Sequence, residues 1–224
     1  MFGRPRIALL LYAVAMGYLE AAVVVYLRAI YYPEGFSFPL KPMDSGILTV
    51  EVGREAATVV MIFAVAWAAA RSRWQTLTGF ALVFGVWDIA YYAGLRILLG
   101  WPASLFEPDV LFLIPAVWVG PVLAPSLIAL SMSAAAWALW PIDYGVIAPR
   151  AWEWSLMVAA GCILLATFIV PAALAGVTGL GEGVSLPAVS YPWWGWIAGE
   201  AAALFVAVRW WVRGRRSTLV AAGV

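Results

Sequence analysis

The chain has 224 residues, of which 65% are hydrophobic and 11% charged, with a net charge of +1 and a mean hydropathy of +0.95. A soluble domain runs near 45–50% apolar and about 25% charged, so water cannot be the solvent for most of this surface, and lipid must be. The balance of charge offers nothing to nucleic acid, and the expected fold is all-α: one polytopic transmembrane bundle spanning residues 1–224.

The residue types narrow the chemistry further. Lys41 is the only lysine among 13 basic residues, there is no His and no Asn, and Cys162 is the only cysteine. Without His the usual haem ligands and the favoured general base are missing, along with most zinc sites; neither a metal nor a cofactor is expected. Cys162 sits in an apolar run, where it reads as a buried packing residue. The preference for Arg and the lack of Asn fit a GC-rich genome, and a prokaryotic plasma (inner) membrane is the expected location.

About 20 apolar residues cross a hydrocarbon core of roughly 30 Å as a helix. Six segments qualify: 7–31, 47–70, 77–99, 110–139, 154–176 and 194–212. The first follows Arg4 and Arg6 and continues too far for a cleaved signal peptide, so it reads as a retained span. The fourth contains Pro115, Pro121 and Pro125, each of which removes a backbone donor. A kink or short interfacial stretch is expected before about Pro125, with a straight helix after it.

The basic residues orient the bundle. Under six crossings Arg4, Arg6, Arg71, Arg73, Arg150, Arg213, Arg215 and Arg216 share one side, while the other carries Lys41, Glu34, Asp44, Glu107, Asp109 and Glu182. Both termini are therefore expected in the cytoplasm. Of the 14 tryptophans, most fall at span ends as an aromatic belt. Trp87 and Trp118 lie deeper and the belt does not explain them.

The residues that carry chemistry are ionisable groups inside the spans. A charge at a helix centre costs roughly 2.5–3.5 kcal/mol on insertion scales, and such groups face the bundle interior. Glu20 and Asp88 lie about eleven residues from the outer end of their spans, roughly 16 Å deep. Glu55 and Glu200 are shallower, and Glu51, Arg28 and Arg96 shallower again, which leaves the inner half apolar. Glu51, Glu55 and Thr58 form one helical stripe with Arg54 beside it; Gly85, Asp88, Tyr92 and Arg96 form another. Arg54 or Arg96 is expected to pair with Glu51 or Glu55. Gly17–Glu20–Arg28 and Gly85–Asp88–Arg96 share one spacing, consistent with a parallel duplication of a helical hairpin.

Glu20, Glu55 and Asp88 are the candidate catalytic groups, and Glu51, Arg54, Trp87, Tyr91, Tyr92 and Arg96 the candidate substrate-binding ones. Carboxyl groups in a low-dielectric pocket can hold a proton near neutral pH and act as general acids. Aromatic faces beside them can stabilise a cationic intermediate, as isomerisation or cyclisation of an isoprenoid requires. Membrane lipid is the expected partner of such an enzyme. A structural subunit of a larger complex and a proton- or cation-coupled carrier are the alternatives. Ala159, Cys162, Ala166 and Ala173 form a small-residue face on which a partner protein or a second copy could pack.

Overall fold

The computed structural model describes residues 3–34, 44–174 and 191–221, without the side chains of 217–221. Lys41, Glu182 and the last two residues of the fifth predicted span lie outside the described residues. The fold is helical: α1 (Arg4–Tyr31), α2 (Ser45–Ala69), α3 (Arg73–Leu99), α4 (Leu123–Leu139), the short α5 (Tyr144–Ile147), α6 (Ala151–Leu174) and α7 (Trp193–Ala221). Among the described residues α1, α2, α3 and α6 are long and apolar enough to cross a membrane. The apolar α4 has 17 residues, and α7 is diluted by Glu200 and four arginines.

Local chemistry starts and stops these helices. Pro5 occupies the first turn of α1, where its missing N–H leaves no bond unmade. The Asp44 carboxylate caps α2 by accepting the Gly46 N–H at 2.8 Å, and the Ser72 hydroxyl caps α3 through Gln75 N–H at 3.2 Å. Gly100, at φ 66°, ends α3 in the left-handed region that an L side chain resists.

The closest helix packing among the described residues is between α1 and α3. Gly17 of α1 lies on the backbone of α3: a Cβ there would stand 2.6 Å from Ala90 Cβ and 2.7 Å from the Trp87 carbonyl oxygen. Ala21 meets Gly94 one turn further on, so α1 and α3 run parallel and in register. In turn α3 packs antiparallel to α4, with Gly79 against Trp140 and Gly85 against Ala129 and Ser133. α6 and α7 form an antiparallel pair through Gly195 and Gly199, against Thr167 and Leu164.

One end of the bundle gathers arginines and tryptophans. Arg6 lies over the Trp137 ring at 4.6 Å, and Trp74 contacts both Trp154 and Trp210 edge-on. A wholly buried carboxylate, Glu153, accepts bonds there from Arg209 Nε (3.1 Å), Trp210 Nε1 (3.1 Å), the Arg150 N–H (2.9 Å) and Arg213. Glu153 falls one residue before the predicted fifth span, and α6 begins earlier than that span, at Ala151.

The fourth predicted span is also revised. Its first part is a β-hairpin, β1 (Pro108–Phe112) and β2 (Trp118–Pro121), with Asp109 opposite Gly120 and Val110 opposite Val119. Three prolines in eleven residues cannot feed a helical hydrogen-bond ladder; a two-stranded ribbon satisfies the remaining backbone groups instead. Cys162 is exposed on α6 rather than buried, because α6 turns its 159–163 face away from the bundle except at Ala160.

Candidate functional site

The hairpin folds into the bundle rather than away from it. Phe112 near its tip stacks on Phe84 (6.3 Å between ring centres) and meets Trp87 and Trp118, while Trp118 stacks on Phe168 of α6. Irregular backbone at such a position needs internal partners, and α2 supplies one. The Leu113 N–H donates to both oxygens of Glu55, at 2.9 and 3.2 Å.

Beneath the hairpin lies a cavity of about 150 Å³ whose walls include Glu20, Glu51, Arg54, Glu55, Asp88 and Tyr91. The three candidate acids, Glu20 from α1, Glu55 from α2 and Asp88 from α3, thus face one space. Their shared depth comes from the parallel register of α1 and α3 together with the Glu51–Glu55–Thr58 stripe of α2. Trp87, Tyr92 and Trp118 also line the cavity.

The acids are not equivalent. Arg54 binds two of them: its Nε donates to Glu51 at 2.9 Å, and its terminal nitrogens form ion pairs with Glu51 and with Glu20 across the α1–α2 interface. Glu55, 7% exposed, is held by the hairpin. Asp88 differs, since its buried Oδ2 has no hydrogen-bond partner among the described residues, and neither has the indole N–H of Trp87 or of Trp118. One acceptor and two donors at the cavity wall are therefore unspent.

Arg96 does not join the site. Its guanidinium donates to the carbonyl oxygens of Gly100 and Pro102, the latter at 2.7 Å, and so fastens the turn after α3. Of the two arginines expected to pair with Glu51 or Glu55, Arg54 does so, with Glu51, and Arg96 does not. Glu200 lies apart as well, in the wall of a neighbouring cleft.

Asp109 is the participant that sequence reading assigned to an exposed loop. It is 5% exposed, accepts the Tyr92 hydroxyl at 3.1 Å, and is near enough to Arg28 and Asp88 to feel their charges. Burial pushes its carboxyl up to about 6, against the pull of Arg28, the Tyr92 hydroxyl and the Val110 N–H. Only the hairpin's return into the bundle brings Asp109 here, and no local pattern announces that. The cavity wall carries four carboxyls (Glu20, Glu51, Glu55, Asp88) and one guanidinium (Arg54), and beyond it Asp109 and Arg28 act on each other, and Asp109 on Asp88. Such a surplus in low dielectric must be neutralised by protons or by a cationic group.

Below the cavity, toward the arginine-rich end, Leu9, Ala13, Ile62, Val83 and Trp140 form a dry plug. On the side of α1, α2 and α3 the polar site is backed by these packed apolar side chains. Comparison with protein families, with curated proteins and with solved structures finds no match to this chain.

Proposed function

We propose that the protein is a six-crossing enzyme of a prokaryotic plasma membrane, with both termini and the arginine-rich end inside, that performs acid/base chemistry on an unsaturated apolar lipid. The observation that carries this reading is the unspent set at the cavity wall, Asp88 Oδ2 with the Trp87 and Trp118 indoles. A purely structural role accounts for Glu20, Glu51, Arg54 and Glu55 but gives those three groups nothing to do. The plug at Ile62, Val83 and Trp140 argues against a carrier, which needs a polar route to both faces.

The chemistry suited to the site moves protons to and from carbon. Asp88 in its acid form gives a proton to one carbon of a C=C bond, and the π faces of Trp87, Trp118 and Tyr91 stabilise the resulting cation. The Glu55 carboxylate takes a proton from a neighbouring carbon. A double bond shifts or a ring closes, with no change in electron count. Arg54 and Glu51 hold the wall, and Tyr92 holds Asp109.

Deuterium tests it. Vesicles containing the protein and either polyprenol or unsaturated phospholipid are incubated in D2O, and the lipids are analysed by mass spectrometry. Wild type is expected to place deuterium on carbon in one lipid class, and Asp88→Asn to place none. No carbon-bound deuterium in either class with folded wild type overturns the enzyme reading in favour of a structural subunit.

A further inference from the structure

A second cavity, of about 530 Å³, adjoins the first and shares Trp118, Ile128, Met132 and Phe168 with it. Its floor is α4 and α7 and its walls are α3 and α6. Trp74, Trp154 and Trp210 close it at the arginine-rich end. Along α4 it extends from Ile128 to Leu139, about 16 Å at the helical rise. Its rim is open to the surroundings of the bundle at Leu77 of α3, 47% exposed, and at Gly161 of α6. The lining is apolar apart from three residues: Thr78, whose hydroxyl bonds the Trp74 carbonyl, Ser131, whose hydroxyl bonds the Ile128 carbonyl at 3.0 Å, and Glu200.

We propose that this cleft seats the linear hydrocarbon chain of the lipid whose reactive end enters the carboxyl-lined cavity; the proposal rests on the acid/base reading above. Three features on the molecule specify that occupant. The cleft is long, narrow and parallel to the helices, the shape of one extended chain rather than of a polar headgroup or a partner helix. It opens sideways between α3 and α6, where bilayer chains already lie in the proposed topology. It abuts the acid site at side chains that line both cavities, Trp118, Ile128, Met132 and Phe168, so a chain lying in it has one end beside that site. The size also falls in the range of ligand sites, roughly 300–1,000 Å³, lined mostly by apolar groups. Acyl and polyprenyl chains share this chemistry, and the experiment separates them.

The full-length protein in phosphatidylcholine vesicles is photolysed with a diazirine-bearing palmitic acid or a diazirine-bearing polyprenol, and adducts are mapped by mass spectrometry. Adducts are expected on Leu77, Met157 and Leu165, at least fivefold above those on Leu11, which is 68% exposed on the outside of α1. The chain type giving the larger ratio identifies the occupant. Gly161→Trp fills the cleft, and because a Cβ at 161 meets nothing within 4 Å, the variant should fold with an unchanged melting transition while the cleft adducts fall at least fivefold. Gly161→Ala should retain them. Cleft adducts equal to those on Leu11 for both probes overturn the proposal, as does their persistence in Gly161→Trp. Cleft labelling without carbon-bound deuterium leaves the chain seat standing and rejects the acid/base reading alone.

Discussion

Glu55 of the second helix accepts the backbone N–H of Leu113 at 2.9 Å, a bond that spans 58 positions and fastens the hairpin tip inside the bundle. A carboxylate among apolar helices here does what a strand or helix partner would do elsewhere, satisfying backbone that has left regular structure. Glu55→Gln keeps an oxygen acceptor and is expected to melt close to wild type. Glu55→Leu orphans the N–H, at a cost of about 1–3 kcal/mol, and should lower the melting temperature in detergent. Equal melting of the two variants would show that the bond contributes nothing.

Arg54 of α2 reaches α1 through Glu20, while Glu51, one turn away on its own helix, holds the guanidinium in place. Breaking a fully buried ion pair by removing one partner costs about 3–5 kcal/mol. The guanidinium retains 22% exposure, so Arg54→Met should cost less, on the order of 2–3 kcal/mol. Adding Glu20→Gln to Arg54→Met removes one stranded charge and should recover part of the loss. A double variant that melts lower than Arg54→Met contradicts the pairing.

How far the sequence discloses this arrangement depends on the range of each interaction. Helix positions were legible because a 20-residue apolar run has one physical solution in lipid. The convergence of Glu20, Glu55 and Asp88 was legible because charges at depth must face inward. Asp109 was not, since its burial depends on a hairpin that pairs Asp109 with Gly120 and turns back toward α2. Prolines 115, 121 and 125 announced a break in the helix but not the ribbon that replaces it. Glu153 was missed for a simpler reason: its partners Arg209 and Arg213 lie more than fifty residues away on α7, beyond any local pattern.

Asp109 gives the protein a pH dependence of defined sign. Its carboxyl is raised from 3.8 to about 6 by burial, so between those values the folded state holds a proton that the unfolded state has released. Stability from this group is full below about pH 4 and is lost as pH rises through 6. Arg28, Tyr92 and Asp88 face the same carboxyl and stay in place in Asp109→Asn. Melting temperature measured from pH 4.5 to 6.5 should fall more steeply in wild type than in Asp109→Asn. Parallel curves would remove Asp109 as the source.

The proposed topology puts the turn before α3 inside and the turn before the hairpin outside. Single cysteines at Ser72 and Ser104, each in a Cys162→Ser background because Cys162 is exposed, should react with an impermeant maleimide from opposite sides of sealed vesicles. Reaction of both from one side rules out the six-crossing arrangement with both ends inside.

Asp88 separates the readings of the site most cleanly, because it contributes so little to the fold. Among the described residues its Oδ2 accepts no hydrogen bond, and no arginine forms an ion pair with it as Arg54 does with Glu20. Were Asp88 a structural anchor, neutralising it would strand a partner and cost several kcal/mol. As a group facing a cavity beside Asp109, it loses only a repulsive neighbour when replaced by the nearly isosteric amide. Asp88→Asn is therefore expected to melt within about 1 kcal/mol of wild type, or slightly above it, while carbon-bound deuterium from D2O disappears. Asp88→Glu moves the carboxyl by one methylene and keeps its acidity. It should retain measurable exchange at a rate reduced about 10²-fold, the loss expected of a misplaced acid. A folded Asp88→Asn protein that still labels its lipid would remove Asp88 from the chemistry and leave Glu20 and Glu55 as the acids to test.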